Sequence, residues 1–390
     1  MSRVLQSFQS YLRRTNKPLW LIMISISVYG LLLVASVNRA LTTNYFKTQL
    51  VAVILGYIAA VLLTRLDYRE ISNYWYLAAG FCTFLIVYTL IFGVSATGSS
   101  GVNARAWIEL PGGTTFQPSE LAKIGFMITF SKHLSVLKKH DLLQHPLFVC
   151  SLGLHALIPI VLTHLQGDDG AAVIFFCMFL AMSFAAGVQF RYFAAVFGAI
   201  LIMAPLAWKY VLADYQKKRF LYMMNPEADP LGLGFQQIQG KISIGSGRLW
   251  GQGLFNGPRV ARNTVSLQHS DFIFSVAGEE LGFLGCSLII ILLFALLIGT
   301  LYCARKSSDD LGTCLCFGFF GMIASQSIFN LGMCLSLLPV MGVTLPFFSA
   351  GGSSTVCFYL GYGLVQSVYM YKDDSDKVKL GCSAACRDKI

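Results

Sequence analysis

Charged residues are scarce in this chain. They make up 12% of its 390 residues, against about 25% in a typical soluble domain. Hydrophobic residues reach 55%, and the mean hydropathy is +0.64. This balance excludes a soluble globular protein and predicts an integral membrane protein.

The sequence also lacks the marks of several other classes of protein. Its basic start runs into a full-length apolar span without a small-residue cleavage site, so we predict no cleavable signal peptide. No basic stripe with interleaved aromatic residues stands apart from the loops, so no nucleic-acid partner is expected. The glycines at 245–253 fit neither the G-x-G-x-x-G pattern of dinucleotide-binding folds nor the G-x-x-x-x-G-K-[ST] pattern of the P-loop. The six histidines form no closely spaced pair typical of zinc ligands.

Apolar runs recur along the whole chain. About 20 apolar residues span the roughly 30 Å of hydrocarbon in a bilayer. The 272–302 run is long enough to include an interfacial helix before its crossing. We predict an all-α polytopic membrane protein, a single domain over 1–390 with about ten transmembrane helices. These lie near 19–37, 49–64, 74–94, 120–137, 147–163, 170–187, 191–208, 272–302, 311–337 and 353–371.

Lysine and arginine predict the orientation. With the N-terminus inside, seventeen of them fall on cytoplasmic segments and span ends, and three fall in short external loops. This positive-inside bias predicts cytoplasmic N- and C-termini, with a cytoplasmic tail at 372–390. One long extracytoplasmic loop, at about 209–271, carries eight more lysines and arginines. The positive-inside rule does not account for these eight. An anionic headgroup or phosphate would explain them, as would solvated charge or contact with membrane lipid.

Four polar clusters interrupt the apolar pattern, and the first runs from Arg105 through 116–123. Pro118, with Glu120 in the first turn, predicts the start of a membrane helix. Glu120 and Lys123 are three residues apart and share a helix face. They form either an internally neutralised packing pair or a positive group that faces a polar cavity.

The second and third clusters lie in external segments. Asp168 and Asp169, in the turn 164–170, form either a solvated helix cap or a site for a cation or a basic partner. The third cluster, at 219–253, contains amides, glycines and Lys241. It suits a sugar or a phosphate, and an ordered re-entrant loop is an equally good explanation.

The fourth cluster, at 326–354, breaks the last apolar runs. Two prolines, three glycines and three serines fall within 338–354. Gln326 and Asn330 are four residues apart, so they face the same way, and we expect them to hydrogen-bond to this break. At membrane depth such a break is tolerated only where it is buried in protein or lines a water-filled cavity. An ordinary external loop is the alternative.

Three acids mark the start of the 272–302 run. Carboxylates near a membrane-helix centre cost about 2.5–3.5 kcal/mol each on insertion scales, so a chain that keeps them uses them for chemistry, transport or folding. Asp271 lies at the external membrane boundary. Glu279 and Glu280 lie about two turns deeper, where we expect them to hold the helix bundle together.

Taken in order, these motifs resemble the SEDS family (shape, elongation, division and sporulation), typified by RodA and FtsW. Val340-Met-Gly-Val and Asn330-Leu-Gly-Met333 resemble the RodA branch. The motifs that carry the family resemblance are Arg105-Ala-Trp, Phe116-Gln-Pro-Ser-Glu-Leu-Ala-Lys, Asn225-Pro-x-x-Asp-Pro, Gln236-x-x-Gln-x-Lys, His269-Ser-Asp-Phe-Ile-Phe, Gly278-Glu-Glu-Leu-Gly and Leu345-Pro-Phe-Phe-Ser-x-Gly-Gly-Ser-Ser.

The resemblance implies a peptidoglycan glycosyltransferase with ten transmembrane helices in the bacterial cytoplasmic (inner) membrane. Such enzymes polymerise lipid II at the outer membrane face, here for cell elongation and rod shape. The implied partners are a class B penicillin-binding transpeptidase and other membrane proteins of the elongation complex. Alternatives are a division-type polymerase, a flippase for the lipid-linked precursor, and a non-catalytic scaffold.

The resemblance also implies roles for individual residues. The family's essential aspartate falls on Asp271, which suits a general base. The functionally sensitive residues fall on Arg105, Glu120 and Lys123; the two cations would stabilise the departing pyrophosphate. A divalent cation, Mg²⁺ or Mn²⁺, could share that work, although the sequence shows no dedicated metal cage. We expect the remaining substrate contacts from Lys241, His269, Gln326, Asn330 and Ser349.

Three short stretches depart from the family's pattern. Gly167 stands where the family has proline, in a turn that is also more acidic. Ser266 and Leu267 replace a Pro-Glu pair ahead of Asp271, which leaves the pose of that carboxylate open. Ala350 replaces a common tyrosine. None of the departures removes a residue assigned to chemistry.

Overall fold

A helix lies at each of the ten predicted spans. Eight of them are long and apolar enough to cross a membrane, and the other two, α5 and α14, are more polar and have mostly buried side chains. The chain is therefore an all-α polytopic membrane protein. The ten are α1 (Lys17–Asn38), α2 (Tyr45–Arg65), α4 (Trp75–Phe92), α5 (Pro118–Lys139), α6 (Pro146–Leu165), α7 (Asp169–Ala186), α8 (Phe190–Tyr210), α12 (Ile273–Lys306), α13 (Asp310–Cys334) and α14 (Gly352–Met370).

Four shorter α-helices and two 3₁₀ turns, Leu142–Gln144 and Pro226–Ala228, complete the order among the residues that this computed structural model describes. Three of the α-helices lie in the long loop 209–271, which is therefore largely folded. The predicted tail lies outside the described residues from position 374 onward. The four α-helices are α3 (Tyr68–Asn73), α9 (Asp214–Met224), α10 (Leu233–Ser246) and α11 (Pro258–Ala261). The structure describes residues 11, 13–41, 43–95, 105–110, 114–210, 212–229 and 233–373.

A small antiparallel sheet joins α4 to α5, and the sequence pattern did not predict it. Its order is β1-β2-β3, with β1 at Val94–Ser95, β2 at Arg105–Leu110 and β3 at Thr114–Phe116. Strands β1 and β3 are too short to show a period of two, which is the signal that identifies a strand. The six residues of β2 do not alternate strictly between polar and apolar. The sheet ends at Phe116, two residues before Pro118, and so leads directly into α5.

Helix α14 lies at the centre of the bundle. It packs closely on α2 because Gly56 faces Tyr359 and Gly363 faces the backbone of Ala60. Small residues allow membrane helices to approach in this way. Buried hydrogen bonds add specificity, since Tyr359 bonds Ser27 of α1 at 2.5 Å. This packing leaves the N-terminal end of α14 beside the fourth polar cluster.

Helix α12 is broken at Gly282, as its length suggested. Gly282 has φ 65° and ψ −159°, a conformation open to glycine and strained for other residues. The break frees backbone groups, and the loop segment 248–253 pairs with them. The hydrogen bonds, donor first, are Phe283 N to Arg248 O (2.8 Å), Leu284 N to Leu249 O (3.2 Å), Gln252 N to Glu279 O (3.0 Å) and Gly253 N to Glu280 O (2.9 Å).

The two deeper acids hold this arrangement together. The Oε1 atom of Glu279 accepts hydrogen bonds from the backbone N–H groups of Arg259 (2.7 Å) and Val260 (3.4 Å). The Oε1 atom of Glu280 accepts one from the Ser36 hydroxyl of α1 at 2.6 Å. Both acids are buried. Their predicted structural role is confirmed: they fasten the loop to α12 and α12 to α1.

Replacing Gly251 with alanine should destabilise the protein by about 2 kcal/mol or more, because alanine is disfavoured at positive φ and a buried clash adds to that cost. Gly251 has φ 80°, and an added Cβ would lie 2.1 Å from the Glu280 carbonyl oxygen. We expect a lower melting temperature in detergent. Gly245→Ala is the matched control, since no atom lies within 4 Å of its added Cβ. Equal melting temperatures would contradict the tight pairing of loop and break.

Candidate active site

Asp271 lies in a turn immediately before α12. The turn is closed by the Leu267 carbonyl, which accepts the N–H groups of Ser270 (3.1 Å), Asp271 (3.0 Å) and Phe272 (3.3 Å). Leu267 has a positive φ of 55°, which is strained for a side chain with a Cβ. The departure from the family pattern at this position therefore coincides with a strained residue four positions before Asp271. Asp271 itself is 7% exposed.

The fourth polar cluster folds over this turn. Its segment 335–351 contains no helix, and Leu345, Phe347 and Phe348 within it are buried. The later part of the predicted break, 345–349, is thus buried in protein and is not an ordinary external loop, whereas Leu335, Leu337 and Gly342 in its first half are exposed. The break also lies beside the carboxylate, since a Cβ added at Gly342 would lie 3.9 Å from the Asp271 Oδ2 atom.

Asn330, which lies on α13, connects the turn before α12 to the segment 335–351. Its Nδ2 group donates to the Asp271 carbonyl at 2.8 Å and to the Val343 carbonyl at 2.7 Å. Asn330 is fully buried. Gln326 lies one turn earlier on α13, is also buried, and its Oε1 atom has no hydrogen-bond partner among the described residues. That oxygen is a buried acceptor left unused by the described side chains and backbone.

Ser349 and Ala350 make further connections to the turn. The Ser349 hydroxyl donates to the Ser270 carbonyl at 2.5 Å and accepts the Leu345 N–H at 2.9 Å. The Ala350 N–H donates to the His269 carbonyl at 2.8 Å. Because Ala350 contributes its backbone, the missing tyrosine side chain at this position does not affect this contact.

Burial controls the electrostatics of the turn. It raises the pKa of Asp271 from 3.8 to about 6, while a hydrogen bond from Ser270 and the charge of Arg219 oppose the shift. Asp271 is therefore mostly ionised at pH 7 and is a stronger base than an ordinary carboxylate. Burial lowers the pKa of His269 to about 4, so its ring is neutral at pH 7. That ring stacks on Tyr45 with centroids 4.0 Å apart.

Glu120 and Lys123 form a buried ion pair at the start of α5. Their charged atoms are 2.8 Å apart, and the side chains are 8% and 1% exposed. The geometry favours the internally neutralised pair over a cation that faces a cavity. A role for Lys123 at a leaving pyrophosphate stays a prediction.

Asp168 connects α5 to α7 near the break. It caps α7 by accepting the Ala171 N–H at 3.0 Å, and it also accepts hydrogen bonds from Gln117 (2.8 Å) and Ser119 (3.0 Å). The preceding Gly167 has φ 80°, which proline cannot adopt. The glycine that departs from the family pattern therefore changes the shape of this turn. The adjacent acids Asp168 and Asp169 predicted a helix cap, but they did not predict the hydrogen bonds of Asp168 to Gln117 and Ser119.

Two of the predicted site residues are exposed cations. Arg105 lies on β2 and Lys241 on α10, and both are accessible. Each is available to a ligand that approaches from the loop side. Their assignment to substrate binding stays a prediction.

The structure also pairs two histidines that sequence spacing could not connect. His133 of α5 and His155 of α6 approach with their Nδ1 atoms 3.2 Å apart. Across the described part of the chain, no three His, Cys, Asp or Glu side chains are close enough to hold a metal ion. The described His, Cys, Asp and Glu side chains therefore do not fit a dedicated site for a divalent cation. No chemical step is assigned to such a cation.

The sequence and the fold both match known proteins. A family model for FtsW, RodA and SpoVE, described as "Cell cycle protein", matches residues 16–374. Peptidoglycan glycosyltransferase MrdB of Escherichia coli (strain K12) is 28% identical over 354 residues, 90% of this chain and 92% of the relative. Stage V sporulation protein E of Bacillus subtilis (strain 168) is 32% identical over 368 residues, 92% of this chain and 98% of the relative.

Solved structures agree with this assignment. A structure described as a peptidoglycan synthase complex that coordinates polymerization and crosslinking contains a chain that is 27% identical, with a TM-score of 0.77 over 93% of this chain and 99% of that one. Rod shape determining protein RodA of Thermus thermophilus is 26% identical, with a TM-score of 0.66 over 92% of this chain and 98% of that one. The chain is a multi-pass protein of the cytoplasmic membrane, and it belongs to the FtsW, RodA and SpoVE family, as its ordered motifs predicted.

Proposed function

We propose that this chain is a peptidoglycan glycosyltransferase that polymerises lipid II at the outer face of the cytoplasmic membrane, with Asp271 as the general base. The observation that carries the proposal is the position of Asp271. Its carboxylate is buried beside a broken membrane segment, its pKa is raised to about 6, and its backbone is held on both sides. Relatives named as peptidoglycan glycosyltransferases support the reaction.

The proposed reaction needs one base and one displacement. An acceptor sugar hydroxyl attacks the anomeric carbon of the donor, and the bond to the lipid pyrophosphate breaks. Asp271 takes the hydroxyl proton as the new glycosidic bond forms, which inverts the configuration at that carbon. Positioned acid–base catalysis of this kind contributes about 10²–10⁴-fold.

Cations of the external segments would balance the charge of the leaving group. Arg219 interacts electrostatically with Asp271, so it lies near the proposed reaction centre. Arg105 and Lys241 are exposed and can reach a phosphate without breaking an existing buried pair. Guanidinium groups suit this role because they bind phosphate oxygens through two parallel hydrogen bonds.

The proposal extends to partners and to the cellular role. We propose a class B penicillin-binding transpeptidase as the partner, since a similar chain forms part of a peptidoglycan synthase complex. Elongation, with further membrane proteins of that machinery, is supported by the RodA-like stretches 330–333 and 340–343. Rescue of rod shape in cells that lack their elongation polymerase would distinguish this role from division.

The proposal predicts a pH profile. Because only ionised Asp271 can accept the proton, kcat/KM for lipid II in detergent should rise with pH through a midpoint near 6 and report the free enzyme. Arg219→Gln should raise the midpoint, since the arginine charge favours the ionised carboxylate. Lys306→Gln, at the far end of α12, is the control and should leave it unchanged.

Detergent makes this assay selective. Flipping has no meaning without a bilayer, so polymer formed in detergent distinguishes an enzyme from a flippase or a scaffold. A flat profile between pH 5 and 8 would argue against Asp271 as the base. Absence of polymer with any transpeptidase partner would argue against the enzyme itself.

A further inference from the structure

We infer that Asn330 and Ser349 are positioning residues that aim the Asp271 carboxylate by fixing the peptide groups next to it. This inference rests on the proposed function of Asp271 as a base. From the sequence we expected both residues to contact substrate. Their geometry assigns them a different role.

Asn330 has no donor left for a substrate. Its amide carries two hydrogens, and both are used on backbone carbonyls, those of Asp271 and Val343. The side chain is fully buried. A sugar could take one of these hydrogens only by displacing the carbonyl of Asp271 or that of Val343. The side chain therefore connects two backbone segments and is not a free recognition group.

Three consecutive carbonyls are held in the same way. The His269 carbonyl accepts a hydrogen bond from the Ala350 N–H, and the Ser270 carbonyl accepts one from the Ser349 hydroxyl. The Asp271 carbonyl accepts two, from the Asn330 amide and the Cys334 thiol. The N–H groups of Ser270 and Asp271 are already bound by the Leu267 carbonyl.

The backbone around the carboxylate is thus fully hydrogen-bonded. Rotation of either peptide next to Asp271 would break at least one buried hydrogen bond, at about 1–3 kcal/mol for each group left unsatisfied. The direction of the Cα–Cβ bond of Asp271 is consequently fixed, and only the side-chain torsions remain free. A misplacement of 1 Å at a reacting group can cost about 10²-fold in rate, so this restraint matters for catalysis.

Asn330→Leu and Ser349→Ala test the inference from two independent sides. Leucine keeps the volume and removes both donors, so kcat should fall about 10²-fold; alanine removes one hydroxyl, and kcat should fall about 10-fold. KM for lipid II should change little, because neither side chain touches substrate. Ser349→Thr keeps the hydroxyl and should retain more activity than Ser349→Ala, although alanine is easier to accommodate. Asn73→Leu, at an exposed position that ends α3, is the control.

Loss of the restraint should also move the pH midpoint. A carboxylate released toward water loses the burial that raises its pKa, so the midpoint in Asn330→Leu should fall below that of the wild type. Ser270, Arg219 and Cys334 surround Asp271 and are unchanged in this variant. A defect confined to folding would lower the amount of active enzyme without moving the midpoint.

Asp271→Asn, assayed alongside, separates this inference from the proposed function. If Asp271→Asn polymerises like the wild type, the base assignment fails and the positioning role fails with it. If Asp271→Asn is inactive while Asn330→Leu and Ser349→Ala keep the wild-type kcat, only the positioning role is overturned. A raised KM with an unchanged kcat would also overturn it, in favour of direct substrate contact.

Discussion

Asp271→Asn will make 10²- to 10⁴-fold less glycan polymer per unit time than the wild type, about the contribution of a positioned general base. Asparagine has nearly the same shape and no basic oxygen at neutral pH. The measurement is the rate of labelled lipid II polymerisation in detergent, with purified protein in complex with its transpeptidase.

Misfolding can be separated from this loss. At pH 8 the ionised Asp271 pays a desolvation cost in the folded state, as its raised pKa indicates. Removing that charge should leave the melting temperature at least as high as in the wild type. Asp141→Asn makes the same chemical change at an exposed position and should polymerise normally. Polymerisation by Asp271→Asn at the wild-type rate would refute the base assignment.

Lys123→Met should cost about 3–5 kcal/mol of stability, because it leaves the buried Glu120 carboxylate without its cation. Glu120→Gln should have a similar cost for the opposite reason. The double variant should be less destabilised than either single variant, since no unpaired buried charge remains. Melting temperatures in detergent and the fraction of monodisperse protein would measure all three effects.

An exposed ion pair provides the control for this cycle. Lys138 and Asp310 are also 2.8 Å apart, but their side chains are 39% and 50% exposed. Such pairs contribute about 0–1 kcal/mol, so Lys138→Met should hardly change the melting temperature. If Lys123→Met behaved like Lys138→Met, the buried pair would not be a stability element and a role exposed to substrate would gain support.

Much of the fold could be predicted from the sequence because membrane spans are encoded locally. Each of the ten helices corresponds to an apolar run, and Pro118 and the prolines at 339 and 346 indicate where α5 begins and where the last break lies. The length of the 272–302 run indicated a break but not its position. A single glycine such as Gly282 is tolerated in many membrane helices and does not identify a break.

The candidate site was predictable in composition and not in arrangement. Asp271 stood out because a carboxylate at a membrane boundary is costly. Asn330 was expected to hydrogen-bond to the break, and its bond to the Val343 carbonyl confirms this. The carbonyls of Asp271 and Ser270, which Asn330 and Ser349 also bind, carry no sequence signal, so both residues were assigned to substrate as well. Asp168 was recognised as a cap, but its bonds to α5 depend on helix packing, as does the contact between His133 and His155.

The loop segment 248–253 has a consequence for how the protein is assembled in the membrane. Unsatisfied backbone groups cost several kcal/mol each in hydrocarbon, so α12 with its break at Gly282 is poorly suited to lipid until this loop has docked. Residues 248–253 leave the ribosome before residues 279–284, so the docking partner is already synthesised when the break emerges. We therefore expect the closure of this loop to accompany the release of α12 into lipid.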